Sequence, residues 1–276
     1  MKILHPDNNE FKNLNELLNY KKEGVFDLIP KEEKEKLNTF LKNFEDFRER
    51  KKQKIKDPNL YNNLPYSIND SSWKSKQKDI QIVNKICGKR KELKILDFGG
   101  WNGWMSNYLT SKGHYLVVTD IFLDEFDGLK AIKHYNNPFI ALQLLPNEIW
   151  RIQDTFDLII FNRNFAYLEN KEEILNDAKK LLTKNGIIIL TGLAVYNSPE
   201  KIINSFKKIE EEFIAHYNSP FLLFKCKGYL DKNDTTLLKQ NNFKIYKYSS
   251  FKYIIKRIIS RKSFNNYYAI LQNNNQ

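Results

Sequence analysis

Acidic residues and glycines around position 100 have the types and spacing needed to bind a nucleoside. The apolar run Leu93–Phe98 carries Asp97 near its end, and Gly99, Gly100 and Gly103 follow within five positions. A buried strand, a glycine turn and a helix in this order form the unit that holds nucleotide-like ligands at the carboxyl end of a parallel sheet. Glycines in such a turn allow the backbone to approach a ligand closely. The sequence therefore predicts a ligand site at this turn.

Trp101 occupies the middle of the turn and distinguishes between two kinds of nucleoside ligand. A dinucleotide site has the pattern G-x-G-x-x-G, in which the middle glycine leaves room for a pyrophosphate. An indole at that position would block a diphosphate, which argues against an NAD(P)-dependent oxidoreductase. S-adenosylmethionine (SAM) carries no phosphate, so the observed pattern D-x-G-x-x-x-G suits SAM better.

Asp120 supports the same interpretation. It ends a second apolar run, Tyr115–Asp120, and it lies 23 residues after Asp97. At about this separation a carboxylate accepts hydrogen bonds from ribose hydroxyls in nucleotide-binding folds. The alternative without a ligand is an ordinary turn with a helix-capping acid.

Two segments, Leu96–Ser106 (LDFGGWNGWMS) and Asp120–Leu129 (DIFLDEFDGL), carry a family resemblance. They are similar to the motifs LDLGAGNGWLS and DI-x-x-D-x-x-DGL of a bacterial group of class I SAM-dependent methyltransferases, and the similarity extends from about Phe44 to the C-terminus. The resemblance implies SAM as cofactor and an α/β, Rossmann-like fold with a seven-stranded, mostly parallel sheet in the order 3-2-1-4-5-7-6. The group is defined by its fold and cofactor and not by a known substrate.

The resemblance also implies cofactor contacts outside the turn. In the group a Trp and a basic residue precede the turn, which indicates Trp73 and Lys76 on a helix over residues 72–88, where a cation can pair with the cofactor's carboxylate. The alternative is a core anchor and a surface lysine. Gln143 ends the third strand, where many methyltransferases have an acid that meets the adenine amino group. The cofactor candidates are Trp73, Lys76, Asp97, Gly99, Gly100, Trp101, Gly103, Asp120, Ile121, Gln143 and Asn162.

Residues after the fourth and fifth strands are the candidates for contact with a methyl acceptor. Thr155–Asn162 predicts the fourth strand, and loop 163–169 follows it at the ligand face. Methyl transfer mainly requires alignment of the reactants, so a general base is optional. Residues 162–165 lack the prolines of the tetrad that methyltransferases of nucleic-acid amines use, which argues against that activity. The candidates are Asn162, Arg163, Tyr167, Tyr196 and His134.

The chain divides into an N-terminal extension, residues 1–70, and a methyltransferase domain, residues 71–276. The extension starts with an arm that is either frayed or the remnant of a zinc ribbon without its cysteines. Apolar residues at 3- and 4-residue steps then predict an amphipathic helix over residues 31–56. The turn-rich end of the extension contains Tyr61 and Tyr66 and predicts a lid loop.

The amino-acid composition of the chain limits the classes of partner that it can bind. The net charge of +12 admits nucleic acid, but only seven of the 45 basic residues are Arg, so nucleic acid is not the favoured partner. Cys87 and Cys226 form neither a disulfide framework nor a zinc site, so we expect no metal and a reduced, cytoplasmic protein. No apolar run reaches the roughly 18 residues of a membrane span. The basic stretch 251–262 predicts a packed amphipathic helix, with binding to an acidic substrate or membrane surface as the alternative.

The predicted function is methyl transfer from SAM to a small-molecule, natural-product or glycan acceptor. The alternative is a non-catalytic module with the same fold that binds RNA or a protein partner. That alternative rests on the missing acid at Gln143 and on Ala166, where the group tends to have a His. The sequence does not identify the acceptor or the oligomeric state.

Overall fold

The computed structural model describes residues 1–5, 7, 10–18, 21–248 and 264–273. Helices of these residues are α1 (Lys31–Arg50), α2 (Ser71–Cys87), α3 (Trp104–Thr110), α4 (Lys171–Lys180), α5 (Glu200–Tyr217) and α6 (Lys232–Gln240). Strands are β1 (Lys2–Leu4), β2 (Phe11–Asn13), β3 (Lys21–Lys22), β4 (Val25–Asp27), β5 (Lys94–Phe98), β6 (Tyr115–Asp120), β7 (Ile140–Gln143), β8 (Ile152–Gln153), β9 (Phe156–Asn162), β10 (Leu182–Tyr196), β11 (Lys244–Lys247) and β12 (Phe264–Gln272).

A mostly parallel sheet forms the centre of the fold. Within the described residues it has nine strands in the order β11-β12-β10-β9-β5-β6-β7-β4-β3. Strands β10, β9, β5, β6, β7 and β4 are parallel, and β12 runs antiparallel between β10 and β11. Counted along the chain from β5, the seven strands from β7 to β11 have the predicted order 3-2-1-4-5-7-6. The α/β, Rossmann-like fold is therefore confirmed.

The sheet extends beyond the seven predicted strands because residues 21–27, the N-terminal segment that contains β3 and β4, add to its edge. Val25 and Phe26 pair in parallel with Ala141 and Leu142 of β7, and all four side chains are buried. An unpaired edge next to β7 would expose backbone hydrogen-bonding groups, and β4 covers it. A separate sheet of three strands, β2-β1-β8, joins the start of the chain to the segment before β9.

The carboxyl ends of β5 and β9 lie side by side at the centre of the sheet, where Phe98 pairs with Phe161. The strand order reverses here, since β6 follows β5 on one side and β10 follows β9 on the other. Ligands of open α/β sheets bind at such a reversal. Both strands consist largely of apolar residues, and they are buried on both faces; Leu96 and Ile159, for example, are fully buried.

Two helices pack near this edge of the sheet. The carboxylate of Asp70 begins α2 by accepting a hydrogen bond from the Trp73 amide at 2.8 Å. Helix α1 ends at Arg50, earlier than predicted, and its apolar face packs on Ile121 and Leu145 after β6 and β7.

Between α1 and α2, Tyr61 anchors the connecting loop. The Tyr61 ring is fully buried, and its hydroxyl lies 2.9 Å from the Ile55 carbonyl oxygen and 2.5 Å from that of Phe126. Tyr66, the other tyrosine of the expected lid, is 51% exposed. The helix predicted over residues 251–262 lies outside the described residues. None of the described helices combines the length and apolar character that crossing a bilayer requires.

Candidate functional site

The three glycines of the turn between β5 and α3 are required by the packing beneath it. Gly99 and Gly103 have φ angles of +61° and +75°, which side chains rarely adopt. A Cβ atom on Gly100 would lie 2.8 Å from the Asp97 carboxylate, and one on Gly99 would collide with the Asn164 side chain. Close protein packing is therefore a reason for glycine here in addition to the approach of a ligand.

Trp101 at the centre of the turn packs against α2. Its backbone is left-handed, with φ of +56°, and its amide donates to Oδ2 of Asp120 at 2.6 Å. Its indole stacks on Trp73, with ring centroids 6.2 Å apart and an interplanar angle of 28°. The structure thus brings together three residues that the sequence singled out in separate segments.

Asp120 holds the loops around the turn through backbone amides. Oδ1 accepts from Ile121 and Phe122 at 2.7 and 3.0 Å, while Oδ2 accepts from Trp101. Burial raises the pKa of Asp120 to about 6, although these three amide hydrogen bonds favour the ionised form. A carboxylate has about four acceptor positions, so three amides leave room for about one more donor.

Two buried acceptor atoms beside the turn have no partner among the described residues. Asp97 is fully buried, and its Oδ2 accepts from Ser106 Oγ at 2.9 Å while Oδ1 is unpaired. The Asn164 amide donates to the Gly99 carbonyl at 3.3 Å and leaves its own Oδ1 unpaired. Burial raises the pKa of Asp97 to about 7, and the Asp120 charge adds to this. Buried unpaired acceptors are rare, and they suit a ligand that donates hydrogen bonds.

Lys76 lies over the two stacked indoles. Its Nζ atom is 4.1 Å from the ring centroid of Trp73 and 5.4 Å from that of Trp101, and it donates to Ser72 Oγ at 3.1 Å. Burial lowers the pKa of Lys76 to about 8, and the positive charge of Arg163 contributes. Within the described part of the chain no carboxylate pairs with this ammonium, which is therefore suited to bind an anionic group.

Asp79, which the sequence analysis missed, ties α2 to the end of β9 and to Tyr248 after β11. It is fully buried and accepts from Tyr248 Oη at 2.5 Å, from Asn162 Nδ2 at 3.2 Å and from Arg163 Nε at 2.5 Å. Arg163 also donates to Ser75 Oγ. The sequence contained one indication of this role. Asp79 lies beside Ile80 on the apolar face of an amphipathic helix, and a carboxylate that is buried there needs hydrogen-bond or charged partners.

The remaining candidates are more dispersed. Gln143 is buried, and its Nε2 donates to the Ile121 carbonyl at 2.9 Å, which places it beside Asp120. Tyr167 is 46% exposed, and Tyr196 packs against Phe264 with the rings tilted by 48° and their centroids 5.2 Å apart. His134 packs in a separate aromatic cluster with Tyr61 and Phe126.

Comparison with known proteins agrees with this fold. The family described as "Methyltransferase domain" matches residues 49–222. Malonyl-[acyl-carrier protein] O-methyltransferase of Paenibacillus sp. (strain JDR-2) is 23% identical over 147 residues, which are 50% of this chain and 49% of that protein. The match thus spans about half the length of that curated relative.

Two solved structures share the fold. The plantazolicin methyltransferase BpumL, in complex with S-adenosylhomocysteine (SAH), has a TM-score of 0.50 and 16% identity, covering 88% of this chain and 97% of that one. Phosphoethanolamine N-methyltransferase 2 of Haemonchus contortus, in complex with SAM, has a TM-score of 0.51 and 12% identity, covering 84% of this chain and 60% of that one. The resemblance in sequence to methyltransferases is confirmed, and the chain belongs to the methyltransferase domain family.

Proposed function

We propose that this protein is a SAM-dependent methyltransferase that acts on a small-molecule acceptor. The observation that carries the proposal is that hydrogen-bond acceptors and an ammonium group without partners lie close together at the turn. Two buried acceptors, Asp97 Oδ1 and Asn164 Oδ1, lack a donor, and the Lys76 ammonium nearby lacks a carboxylate within the described residues. A ligand end that carries both an ammonium and a carboxylate would satisfy these groups, and the methionine end of SAM has both.

The ribose of the cofactor is assigned to Asp120. Three backbone amides already occupy the carboxylate, so one ribose hydroxyl can donate to its remaining acceptor position. A second hydroxyl would share an oxygen with one of those amides. Ribose binding and the shape of the turn are therefore coupled through a single side chain.

The acceptor is assigned to the ends of β9 and β10. SAM, when bound, supplies an electrophilic methyl group on a sulfonium. The residues of this chain align the acceptor and exclude water, and alignment alone is worth up to roughly 7–11 kcal/mol in the best cases. Asn162 and Arg163 are held there by Asp79. Tyr167, which follows β9, and Tyr196, the last residue of β10, are further candidate contacts. His134 is the weakest candidate, because it packs with Tyr61 and Phe126.

The comparisons support the cofactor and a small acceptor without identifying the latter. The BpumL and Haemonchus contortus structures hold SAH and SAM, respectively, and the name of the second indicates that it acts on a small molecule, phosphoethanolamine. A cytoplasmic enzyme is consistent with these proposals.

Calorimetric titration tests the proposal. We expect SAM and SAH to bind the full chain with micromolar affinity, and NADH to show no binding because Trp101 fills the middle of the turn. Absence of SAH binding to the folded protein would overturn the proposal. RNA binding that weakens steeply with salt would instead favour the non-catalytic alternative.

A further inference from the structure

The carboxyl ends of three neighbouring parallel strands present polar side chains in a row. Asp120 of β6 is the Cα partner of Gln143 of β7, and Gln143 is the Cα partner of Asp27 of β4. Adjacent strands lie about 4.8 Å apart, so the row from Asp120 to Asp27 spans about 10 Å. A nucleoside whose sugar lies at Asp120 would place its base over the next strands in this row.

A cavity lies at that position. It has a volume of about 270 Å³, and it is lined by β4 and the turn before it, the start of α1, the segment after β6 and the end of β7. Most of its lining residues are polar or charged, namely Lys22, Glu23, Asp27, Lys34, Asn38, Lys130 and Gln143. Its apolar lining comes from Val25, Ile29, Leu37 and Leu123. These apolar side chains can contact the faces of a flat heteroaromatic ring, while the polar groups can meet its edge.

Asp27 retains the capacity to accept a hydrogen bond from such a ring. Its Oδ1 accepts from the Ile29 amide at 3.2 Å, and its Oδ2 accepts from Lys34 Nζ at 2.9 Å. About two of its four acceptor positions therefore remain. An ionised carboxylate accepts but does not donate, so it distinguishes an amino group from a carbonyl on the base.

We propose that the N-terminal segment completes the cofactor site, with Asp27 of β4 accepting from the 6-amino group of adenine in the cavity that it shares with Gln143. This inference rests on the proposed function. Asp27 would supply the negative charge that the uncharged Gln143 lacks. The N-terminal residues are then part of cofactor recognition in addition to covering the edge of the sheet.

The test compares SAH with S-inosylhomocysteine, which has a 6-oxo group in place of the 6-amino group. We expect the wild-type chain to bind SAH about tenfold to a hundredfold more tightly, since one hydrogen bond to a charged group is gained and a repulsive carbonyl is avoided. In Asp27→Asn the amide can donate to the 6-oxo group, so the preference should fall by at least tenfold or reverse.

Two control variants separate this effect from loss of charge or packing. Glu23→Gln removes another carboxylate that lines the same cavity and pairs with Lys130 at 2.9 Å. Lys34→Met breaks the ion pair of Asp27 without removing its carboxylate. Both controls should keep the wild-type preference within twofold. Urea unfolding of each variant confirms that it is folded.

The outcomes separate the two proposals. An unchanged preference in folded Asp27→Asn would overturn the assignment of Asp27 and leave the proposed function standing. Failure of the wild-type chain to bind either ligand would overturn the proposed function, and the base pocket with it.

Discussion

The carboxylate of Asp79 lies 2.5 Å from Nε of Arg163, although 84 residues separate them in sequence. Asp79 is fully buried on α2, whereas the Arg163 side chain is 35% exposed at the end of β9. Arg163 has a left-handed backbone with φ of +59°, and its stem contacts Gly192, which has no side chain to obstruct it. The pair therefore fixes the direction of a cation at the proposed acceptor site.

The first prediction concerns the stability of this pair. Asp79→Ala should lower the free energy of unfolding by about 2–4 kcal/mol, because it leaves Arg163, Asn162 and Tyr248 without their acceptor. Urea unfolding at pH 7 measures the loss. Adding Arg163→Met should recover part of it.

An exposed ion pair provides the control for Asp79→Ala. Glu125 and Lys133 pair at 2.5 Å with side chains 48% and 44% exposed, so Glu125→Gln should change the free energy of unfolding by less than about 0.5 kcal/mol. A loss for Asp79→Ala no larger than this would contradict the role assigned to Asp79.

The second prediction concerns the pH dependence of cofactor binding through Lys76. Burial lowers the pKa of Lys76 to about 8, so the ammonium that would bind the cofactor's carboxylate is lost above that pH. The ratio of SAH affinities of wild type and Lys76→Gln should therefore fall above pH 8, by up to about tenfold per pH unit. Lys74→Gln, an exposed position of the same helix, should follow the wild-type curve. Parallel curves for wild type and Lys76→Gln would exclude this contact.

The third prediction concerns Asp97. Burial raises its pKa to about 7 from 3.8, so its neutral form is favoured in the folded state. The contribution of neutral Asp97 to the free energy of unfolding is complete below pH 3.8 and is lost as the pH rises from there through about 7. Asp97→Asn should therefore gain stability relative to wild type between pH 5 and pH 8, by up to about 2.5 kcal/mol. Urea unfolding at the two pH values measures the gain.

Asp154 offers the opposite case as a control for Asp97. Burial acts to raise the pKa of Asp154, but its contact with Lys94 lowers it overall. The stability that Asp154 contributes is lost only at more acid pH, so the effect of Asp154→Asn on stability should change much less between pH 5 and pH 8 than that of Asp97→Asn. If the stability difference between Asp97→Asn and wild type is also independent of pH, Asp97 does not have a raised pKa in the folded protein.

The fourth prediction separates the two roles of Asp120. Asp120→Ala should weaken SAH binding by about 1.5–3 kcal/mol, the value of a hydrogen bond to a charged group, and should also lower stability because three backbone amides lose their acceptor. Asp124 accepts from the Phe126 and Asp127 amides in the following loop. Asp124→Ala should lower stability but change SAH affinity by less than about twofold. Equal affinities in wild type and Asp120→Ala would place the ribose elsewhere.

The core of the fold was predictable because local patterns are sufficient to identify it. The apolar runs that end at Asp97, Asp120 and Asn162 are buried strands in the expected order. The strands of the N-terminal segment were not predictable, since β3 has two residues and β4 has three, and runs this short have no recognisable period.

Part of the site was predictable for the same reason. The turn residues are adjacent in sequence, and the stacking of Trp73 on Trp101 agrees with the expected position of α2 near the turn. Asp79 and Asp27 were missed, because the meaning of a single acid depends on what packs around it. Tyr61 was placed in a lid, yet its ring is buried by residues distant in sequence.

The sequence by itself determined the order of strands and helices, the glycine turn and the membership of a nucleoside-binding class, because strand and turn propensities act over a few neighbouring residues. Only the tertiary structure decided which charges meet. The pairing of Asp79 with Arg163, and the alignment of Asp27 beside Gln143, arise from strand register and helix packing between distant segments. Burial then shifts the ionisation of Lys76 and Asp97, and burial is a property of the folded chain as a whole.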